Sequence, residues 1–319
     1  MTFTHRMLVA AALISGILTT STILAAEAPE AAAPLTGDAI CTKCHDKNED
    51  KPVLSIYATK HGVKADARTP TCQGCHGESD AHVKNVEGLE TRPEPDVLYG
   101  MRSGPNSSFG RSDAEVQNKP CMSCHQNALG KRTYWAGSQH QRRKVACVAC
   151  HEVHAKEDKV LSKGSQQEVC YACHKEQRAQ VNRPSHHPLK EGKMACSSCH
   201  NPHGSTGPKL LIKNTVTETC YTCHAEKRGP FLWEHPPASA NCLNCHTPHG
   251  SSNPTLLKTR MPYLCQQCHD ATFHPSTVYS GRGIAGGPAP AQQLLLRSCA
   301  NCHTQVHGSN HPSGPRLTR

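Results

Sequence analysis

Residues 196–203 read Cys196-Ser197-Ser198-Cys199-His200-Asn201-Pro202-His203: two cysteines three positions apart, a histidine directly after the second, and another histidine three residues later. The first part of this segment, C-x-x-C-H, occurs ten times in the 319-residue chain and accounts for all 20 cysteines. Only 23 residues, about 7% of the chain, are histidine, so chance does not place one after ten cysteine pairs out of ten. The fold and chemistry of the chain must therefore be explained from this repeated pattern.

The spacing of C-x-x-C-H has a chemical reason, and it is the attachment signature of c-type haem. Positions i, i+3 and i+4 of a helical turn share one face. Two thiols on that face add to the two vinyl groups of one porphyrin, and the adjacent imidazole faces the iron as proximal ligand. The sequence thus predicts ten covalently bound haem c (Fe) groups.

The residues of the ten motifs carry these two roles. The attaching cysteines are predicted to be Cys41, Cys44, Cys72, Cys75, Cys121, Cys124, Cys147, Cys150, Cys170, Cys173, Cys196, Cys199, Cys220, Cys223, Cys242, Cys245, Cys265, Cys268, Cys299 and Cys302. The proximal iron ligands are predicted to be His45, His76, His125, His151, His174, His200, His224, His246, His269 and His303.

Three other uses of paired cysteines fit the pattern less well. A zinc ribbon uses pairs of C-x-x-C but needs no histidine after each pair. A disulfide framework has no need of the histidine either, and thioredoxin-like redox pairs occur singly. Haem attachment is the interpretation that uses every residue of the pattern.

The composition points to an interior that side chains do not fill. Aromatic residues make up 4% of the chain, with four Phe and two Trp, and the mean hydropathy is −0.58. A conventional core for 34.6 kDa needs more large apolar material than this. We therefore expect a multihaem cytochrome c that is mostly irregular, with short helices, little or no sheet, and an elongated chain of closely packed haems.

Histidines outside the motifs supply a second ligand for each iron. Twelve remain once His5, in the N-terminal segment, is set aside, so the supply nearly matches a demand for ten. The predicted distal ligands are His61, His82, His140, His154, His187, His203, His235, His249, His274 and His307. Among these, His154, His203 and His249 follow a proximal histidine by three residues, and we expect each to cap a neighbouring iron rather than its own.

Two of these choices stay open from the sequence alone. His186 and His187 are adjacent and compete for one site, and the proline after His187 favours it because His235 and His274 are also followed by proline. His311 is followed by proline as well, which makes it the rival of His307.

Ligation by histidine on both faces leaves the iron no open position for a substrate. Such an iron shuttles one electron with little rearrangement, and its potential is lower than with a histidine and a methionine. The sequence thus predicts an electron carrier with no catalytic residues, rather than an enzyme.

The N-terminus reads as an export signal over residues 1–26, with a basic start, an apolar run and small residues before the expected cleavage point. A mobile leader is expected over 27–40. An N-terminal haem region over 41–146 carries motifs one to three and a long loop at 84–120. A region over 147–319 repeats as a two-haem unit of about 46–49 residues. Export predicts a periplasmic location, where free thiols would be oxidised unless they are modified.

The positive charge of the chain does not indicate a nucleic-acid partner. The formal net charge is +10, but two propionates on each haem offset it. We expect the oxidised holoprotein to be close to neutral, with its basic residues serving as propionate partners and no binding of nucleic acid.

In its haem count, length and C-terminal tail, the chain resembles the periplasmic decahaem cytochromes of Mtr-type outer-membrane conduits, also called the DmsE family. The resemblance extends from Cys41 to the tail. It rests on the ten motifs and on the segments Cys121-Met122-Ser123-Cys124-His125-Gln126, Glu218-Thr219-Cys220-Tyr221, Ala225-Glu226-Lys227-Arg228-Gly229-Pro230 and Gln305-Val306-His307-Gly308-Ser309-Asn310-His311-Pro312-Ser313-Gly314.

This resemblance implies a haem wire inserted in an outer-membrane β-barrel porin. It would receive electrons from a periplasmic or inner-membrane donor and pass them to an extracellular multihaem cytochrome or a mineral, or carry electrons inward from ferrous iron. Two alternatives are a free periplasmic shuttle to a soluble reductase and a multihaem reductase. The second of these needs an open haem, and none of the ten motifs replaces its histidine with lysine.

Overall fold

The computed structural model describes residues 36–46, 52–84, 92–100, 112–126, 134–269 and 299–318. Contacts divide the chain into two units, Met1–Thr36 and Gly37–Arg319, and the fold described below belongs to the second. The predicted signal over 1–26, most of the leader and His274 lie outside the described residues. The boundaries of the predicted haem regions stay predictions.

The helices of the described residues are short, and the longest has 12 residues. They are α1 (Ala39–Thr42), α2 (Cys72–His76), α3 (Asp80–Lys84), α4 (Ala114–His125), α5 (Gln139–Arg142), α6 (Gln166–Tyr171), α7 (Lys175–Val181), α8 (Val216–Tyr221) and α9 (Pro236–Ala240). Short 3-10 helices occupy Val53–Ala58, Lys60–Gly62, Cys147–Ala149, Lys159–Leu161, Cys196–Ser198, Pro208–Leu210, Ala225–Lys227, Cys242–Asn244, Pro254–Leu256, Cys265–Gln267 and Cys299–Asn301.

In the described part of the chain, β-pairing is limited to isolated bridges. They join Ser185 to Ser251, His200 to Leu211, Trp233 to Ser309 and His246 to Leu257. The predicted fold class, short helices with little or no sheet, is confirmed.

Each C-x-x-C-H motif forms a single helical turn. In eight motifs the histidine amide donates to the carbonyl of the first cysteine over 2.9–3.0 Å. The motifs that begin at Cys72 and Cys121 lie within α2 and α4. Both cysteines and the histidine therefore lie on one face of the turn, as covalent attachment to one porphyrin requires.

Large apolar side chains do not fill the interior. The buried apolar residues in the described part are Ala146, Tyr171, Val181, Ala195 and Leu257, and none of the side chains described is less than 2% exposed. A cavity of about 3990 Å³ is lined by the last seven motifs. Its lining residues lie between positions 134 and 318 of the sequence. The prediction that the chain lacks an aliphatic core agrees with this architecture.

Polar side chains, in place of apolar contacts, hold successive motifs together. The carboxylate of Asp38 in the turn before α1 accepts a hydrogen bond from the amide of Cys72 over 2.8 Å. Asn118 of α4 accepts in the same way from Cys147 over 2.7 Å. Gln166 of α6 accepts from Ser197 over 2.8 Å. A residue three or four positions before an odd-numbered motif thus anchors the backbone of the next motif.

Glycines after two of the predicted distal histidines allow backbone segments to touch. A Cβ atom at Gly204, next to His203, would collide with the carbonyl oxygen of Tyr134. A Cβ atom at Gly250, next to His249, would collide with the carbonyl oxygen of Gln180. These positions tolerate no side chain, because the obstacle is backbone on both occasions.

Candidate haem sites

The fold brings histidines together in pairs, each joining one motif histidine to one histidine from elsewhere in the chain. In nine pairs the ring centroids lie 6.0–6.4 Å apart. In order of motif, the pairs are His45–His82, His76–His154, His125–His61, His151–His203, His174–His140, His200–His249, His224–His187, His246–His307 and His269–His235.

This separation fits one metal ion between two imidazoles. A bond from a metal to an imidazole nitrogen is about 2 Å, and ring bonds of about 1.35 Å put that nitrogen roughly 1.1 Å from the ring centroid. Two such arms add up to about 6 Å. Aromatic rings in direct contact have centroids about 4.5–7 Å apart, so a shared metal is indicated by the recurrence of one separation in nine pairs, each of which contains one motif histidine.

Hydrogen bonds at Nδ1 orient the rings. Nδ1–H of His187 donates to the carbonyl of Pro248 over 2.8 Å, and Nδ1–H of His235 donates to that of Val306 over 2.8 Å. His82, His140, His154, His200 and His246 have carbonyl partners in the same way, at 2.7–2.9 Å. A carbonyl only accepts, so the proton sits on Nδ1 and the lone pair of Nε2 is left for a metal.

The rings distinguish His187 from His186. His187 faces His224 with centroids 6.3 Å apart. In His186, Nδ1 lies 2.7 Å from the carbonyl of Arg183 and Nε2 lies 3.3 Å from the carboxylate of Glu191. Both nitrogens of His186 are thus engaged within the protein, and the geometry favours His187.

A similar contrast separates His307 from His311. His307 faces His246 at 6.1 Å, and burial lowers the pKa of its imidazole, which favours the neutral form that binds metals. Nδ1 of His311 accepts a hydrogen bond from the amide of Ser313 over 3.2 Å. In the neutral ring the proton of His311 is therefore on Nε2, the nitrogen that a metal would need.

In eight of the nine pairs the distal histidine skips one motif, which differs from the expectation of capping the adjacent one; His82, after the second motif, faces His45 of the adjacent first motif. His154 follows the fourth motif and faces His76 of the second. In the same way, His203, His249 and His307 face the motif two places earlier. The histidines that follow odd motifs reach forward instead, as His140 after the third motif faces His174 of the fifth.

The tenth motif is described without its predicted partner, because His274 lies outside the described residues. Nδ1–H of His303 donates to the carbonyl of Arg316 over 2.6 Å, so a carbonyl orients its ring as it does those of His200 and His246.

Thiols of consecutive motifs approach one another at all nine junctions. First cysteines interact at the odd-to-even junctions, as Cys121 does with Cys147. The other such pairs are Cys41–Cys72, Cys170–Cys196, Cys220–Cys242 and Cys265–Cys299. The even-to-odd junctions bring together Cys75–Cys121, Cys150–Cys173, Cys199–Cys223 and Cys245–Cys268. The attachment sites therefore follow one another in space in the order of the sequence, which the spacing alone did not predict.

The volume of the cavity and the surroundings of the thiols also fit a bound haem. Divided among the seven motifs that line it, the cavity gives about 570 Å³ per motif, within the roughly 300–1,000 Å³ typical of a site for one small molecule. Burial raises the pKa of the thiols of Cys75 and Cys199, so these sulfurs lie in an apolar environment such as a porphyrin edge provides.

A thiol pair on a helical turn, an imidazole beside it and a second imidazole about 6 Å away constitute the haem site of a c-type cytochrome. Their repetition, in a chain whose described residues form no sheet, defines a multihaem cytochrome c, an electron-transfer protein with covalently bound haem.

Comparison with known proteins identifies the family. The chain is 46% identical over 284 residues to the multihaem cytochrome MtrA of Shewanella baltica, covering 88% of this chain and 80% of that protein. The chain belongs to the MtrA family of multihaem cytochromes.

Shorter similarities agree with this assignment. The family described as Doubled CXXCH motif matches residues 186–229 and 235–274, and the family described as Cytochrome c-type protein NrfB-like matches residues 72–166. The cytochrome c-type protein NrfB of Escherichia coli is 31% identical over 159 residues, which is 48% of this chain and 73% of that one. The NrfB of Haemophilus influenzae is 32% identical over 155 residues, 43% and 65% of the two chains.

Within the described ranges, no helix is both long enough and apolar enough to pass through a bilayer.

Proposed function

We propose that the chain binds ten haem c groups, one at each motif, and carries electrons along them in sequence order between the periplasm and the cell exterior. The observation that supports this best is the unbroken series of electrostatic interactions between thiols of consecutive attachment sites, from Cys41 to Cys299. Electron transfer by haem c belongs to the family. The number ten, the route and the location are proposed here.

Haem c, when bound, supplies an iron that gains and loses one electron. The two cysteines of each motif would tether its edge, and the paired imidazoles would hold the metal from both faces. Because carbonyls fix eight of those eighteen rings through Nδ1, these ligands need not move between oxidation states. The same ring pairs keep substrates away from the metal, which supports a carrier without catalytic residues.

The ligands that we propose are the ten motif histidines together with His61, His82, His140, His154, His187, His203, His235, His249 and His307. Nine ring pairs at a common separation support this set. His274 completes it by elimination, because it is the remaining predicted partner for His303. We prefer His187 and His307 because hydrogen bonds engage the ring nitrogens of their rivals, His186 and His311.

The proposed location is the lumen of an outer-membrane β-barrel porin, with a periplasmic or inner-membrane donor on one side and an extracellular multihaem cytochrome or mineral on the other. Membership of the MtrA family supports it. So does the hydrophilic composition of the chain, with a mean hydropathy of −0.58, because a barrel lumen is polar and can surround charged residues that lipid would reject.

Proteoliposomes test the conduit. Vesicles are loaded with a redox dye, and dithionite is added outside, with the barrel and the chain inserted together or singly. We expect the dye to be reduced only when both proteins are present. Equal reduction of the dye with the barrel alone contradicts the conduit, and so does an unreduced dye with both proteins present. If the dye stays oxidised while all haems of the chain are reduced, a free periplasmic shuttle is favoured.

A further inference from the structure

One proximal histidine has a hydrogen-bond partner unlike those of its counterparts. Nδ1 of His151, in the fourth motif, lies 2.6 Å from Oδ2 of Asp158, whose side chain is 16% exposed. The corresponding atom of His200 in the sixth motif donates to the carbonyl of Lys209 over 2.9 Å. In the eighth motif, His246 donates to the carbonyl of Thr255 over 2.8 Å. A carboxylate thus replaces a carbonyl at one site of three.

The backbone after each motif explains why the hydrogen-bond partner of Nδ1 differs. After the sixth and eighth motifs the carbonyl is presented from a left-handed residue, with φ and ψ of 53° and 34° at Lys209 and of 55° and 31° at Thr255. The equivalent turn after the fourth motif is Lys159–Leu161, and Asp158 stands directly before it. Oδ1 of Asp158 accepts hydrogen bonds from the amides of Glu152 and Val160 over 3.3 Å. The side chain is held at both oxygens and aimed at His151.

A carboxylate on Nδ1 changes the electronic character of the ring. Its full negative charge makes the imidazole a stronger donor to a metal than a carbonyl dipole does. A stronger donor stabilises the more positive oxidation state, and hydrogen bonding beyond the ligand is one of the means by which a protein sets haem potentials.

A second acid near a motif histidine is placed differently. Oε1 of Glu226 lies 3.7 Å from Nδ1 of His224, beyond hydrogen-bond range, and the Glu226 side chain is 60% exposed. Solvent screens a charge at that position. Of these two contacts, only that of Asp158 is both short and shielded.

We propose that Asp158 is a positioning residue that sets the reduction potential of the fourth haem site below those of the sixth and eighth. This rests on the proposed function, in which His151 and His203 are the two ligands of that site. The fourth motif begins the repeated part of the chain, so a lower potential there separates the first three sites from the last six. Electrons would cross this site without accumulating on it.

The test is a potentiometric titration of the full-length holoprotein, followed by visible absorbance, with haem counted beforehand. Asp158→Asn keeps the size of the side chain and removes its charge. We expect about one tenth of the titrating absorbance to move to more positive potential, since one haem in ten is affected. Glu152→Gln is the matched control, because Glu152 is adjacent to His151 and contacts Lys159 rather than the ring. It should leave the curve unchanged.

Superimposed curves for Asp158→Asn and the wild type, at full haem content, overturn the proposal, and so does an equal shift in Glu152→Gln. Asp158→Glu keeps the charge and decides the question where the asparagine variant loses haem: an unshifted curve supports the proposal and a positive shift contradicts it. In the wild type, the fourth, sixth and eighth sites have ring planes within 18° of parallel. Reduction of all three in a single step would also contradict the proposal. A preparation without covalent haem contradicts the proposed function instead.

Discussion

An imidazole binds a metal through Nε2 only when its proton is on Nδ1, so hydrogen bonds at single atoms decide which histidine can be a ligand. His187 satisfies this condition through the carbonyl of Pro248. His186 has the same residue type and is its immediate neighbour, but both of its nitrogens contact other groups. The sequence narrowed the choice to these two residues, and the orientation of the rings provides the argument between them.

Alanine variants of the neighbours His186 and His187 form a matched experiment. In His187→Ala we expect about one haem in ten to lose its sixth ligand, become high-spin and bind carbon monoxide when reduced. His186→Ala should keep all haems low-spin, because its ring faces no motif histidine. Visible spectra of the reduced proteins with and without carbon monoxide report the difference. Carbon monoxide binding by the His186 variant, and not by the His187 variant, would reverse the assignment.

In the repeated part, the sixth, eighth and tenth C-x-x-C-H turns are each followed by a histidine and a glycine, at His203-Gly204, His249-Gly250 and His307-Gly308. Short turns, and the lack of a sheet among the described residues, were predictable, because the motif spacing and the scarcity of large apolar residues can be read directly from the sequence. The partner of each motif was not, because it depends on contacts such as that between His154 and Val53, 101 residues apart. Local sequence has no signal for such a contact. The pairing of histidines from motifs two places apart, seen in eight of the nine pairs, now provides a rule for predicting it.

The glycine after a distal histidine can be tested at Gly250. In Gly250→Ala the new methyl group meets the backbone of Gln180, so the segment that carries His249 must shift. We expect a loss of about 1–3 kcal/mol in the free energy of unfolding, the usual range for overpacking. Denaturant unfolding followed by circular dichroism measures it.

Gly164→Ala is the control, because a Cβ atom there meets nothing within 4 Å. Equal stability losses in the two variants would show that close backbone contact is not the reason for glycine at position 250.

The ring pairs fall into two geometric classes that a spectrum can distinguish. The rings are within 6–23° of parallel at motifs one, four, six, eight and nine. They are steeply inclined, by 53–80°, at motifs two, three, five and seven. Parallel and perpendicular imidazoles split the iron d orbitals differently, so the oxidised protein should give two kinds of low-spin ferric electron paramagnetic resonance signal.

For the nine described sites we expect the near-parallel and inclined signals in a ratio of five to four. Integration of the two signals against the total haem content gives this ratio. A single class of signal would show that the ring orientations change when the metal is bound.

At the scale of the molecule, C-x-x-C-H motifs and imidazole pairs take the place of a hydrophobic core in the part of the chain that the structure describes. The composition predicted this replacement, and the few buried apolar residues agree with it. The order of the sites in space could not be predicted from the sequence, because the electrostatic interaction of thiols such as Cys150 and Cys173 depends on the folded chain. A conduit of the proposed kind requires a continuous path, and attachment sites that follow one another in sequence order support that proposal.

Anomalous scattering at the iron absorption edge, from crystals of the holoprotein, tests this account most directly. It predicts ten iron peaks per chain that follow the motifs in sequence order, nine of them midway between the imidazole pairs identified above. Fewer peaks, peaks away from those pairs, or irons with an open face at the nine sites would contradict it.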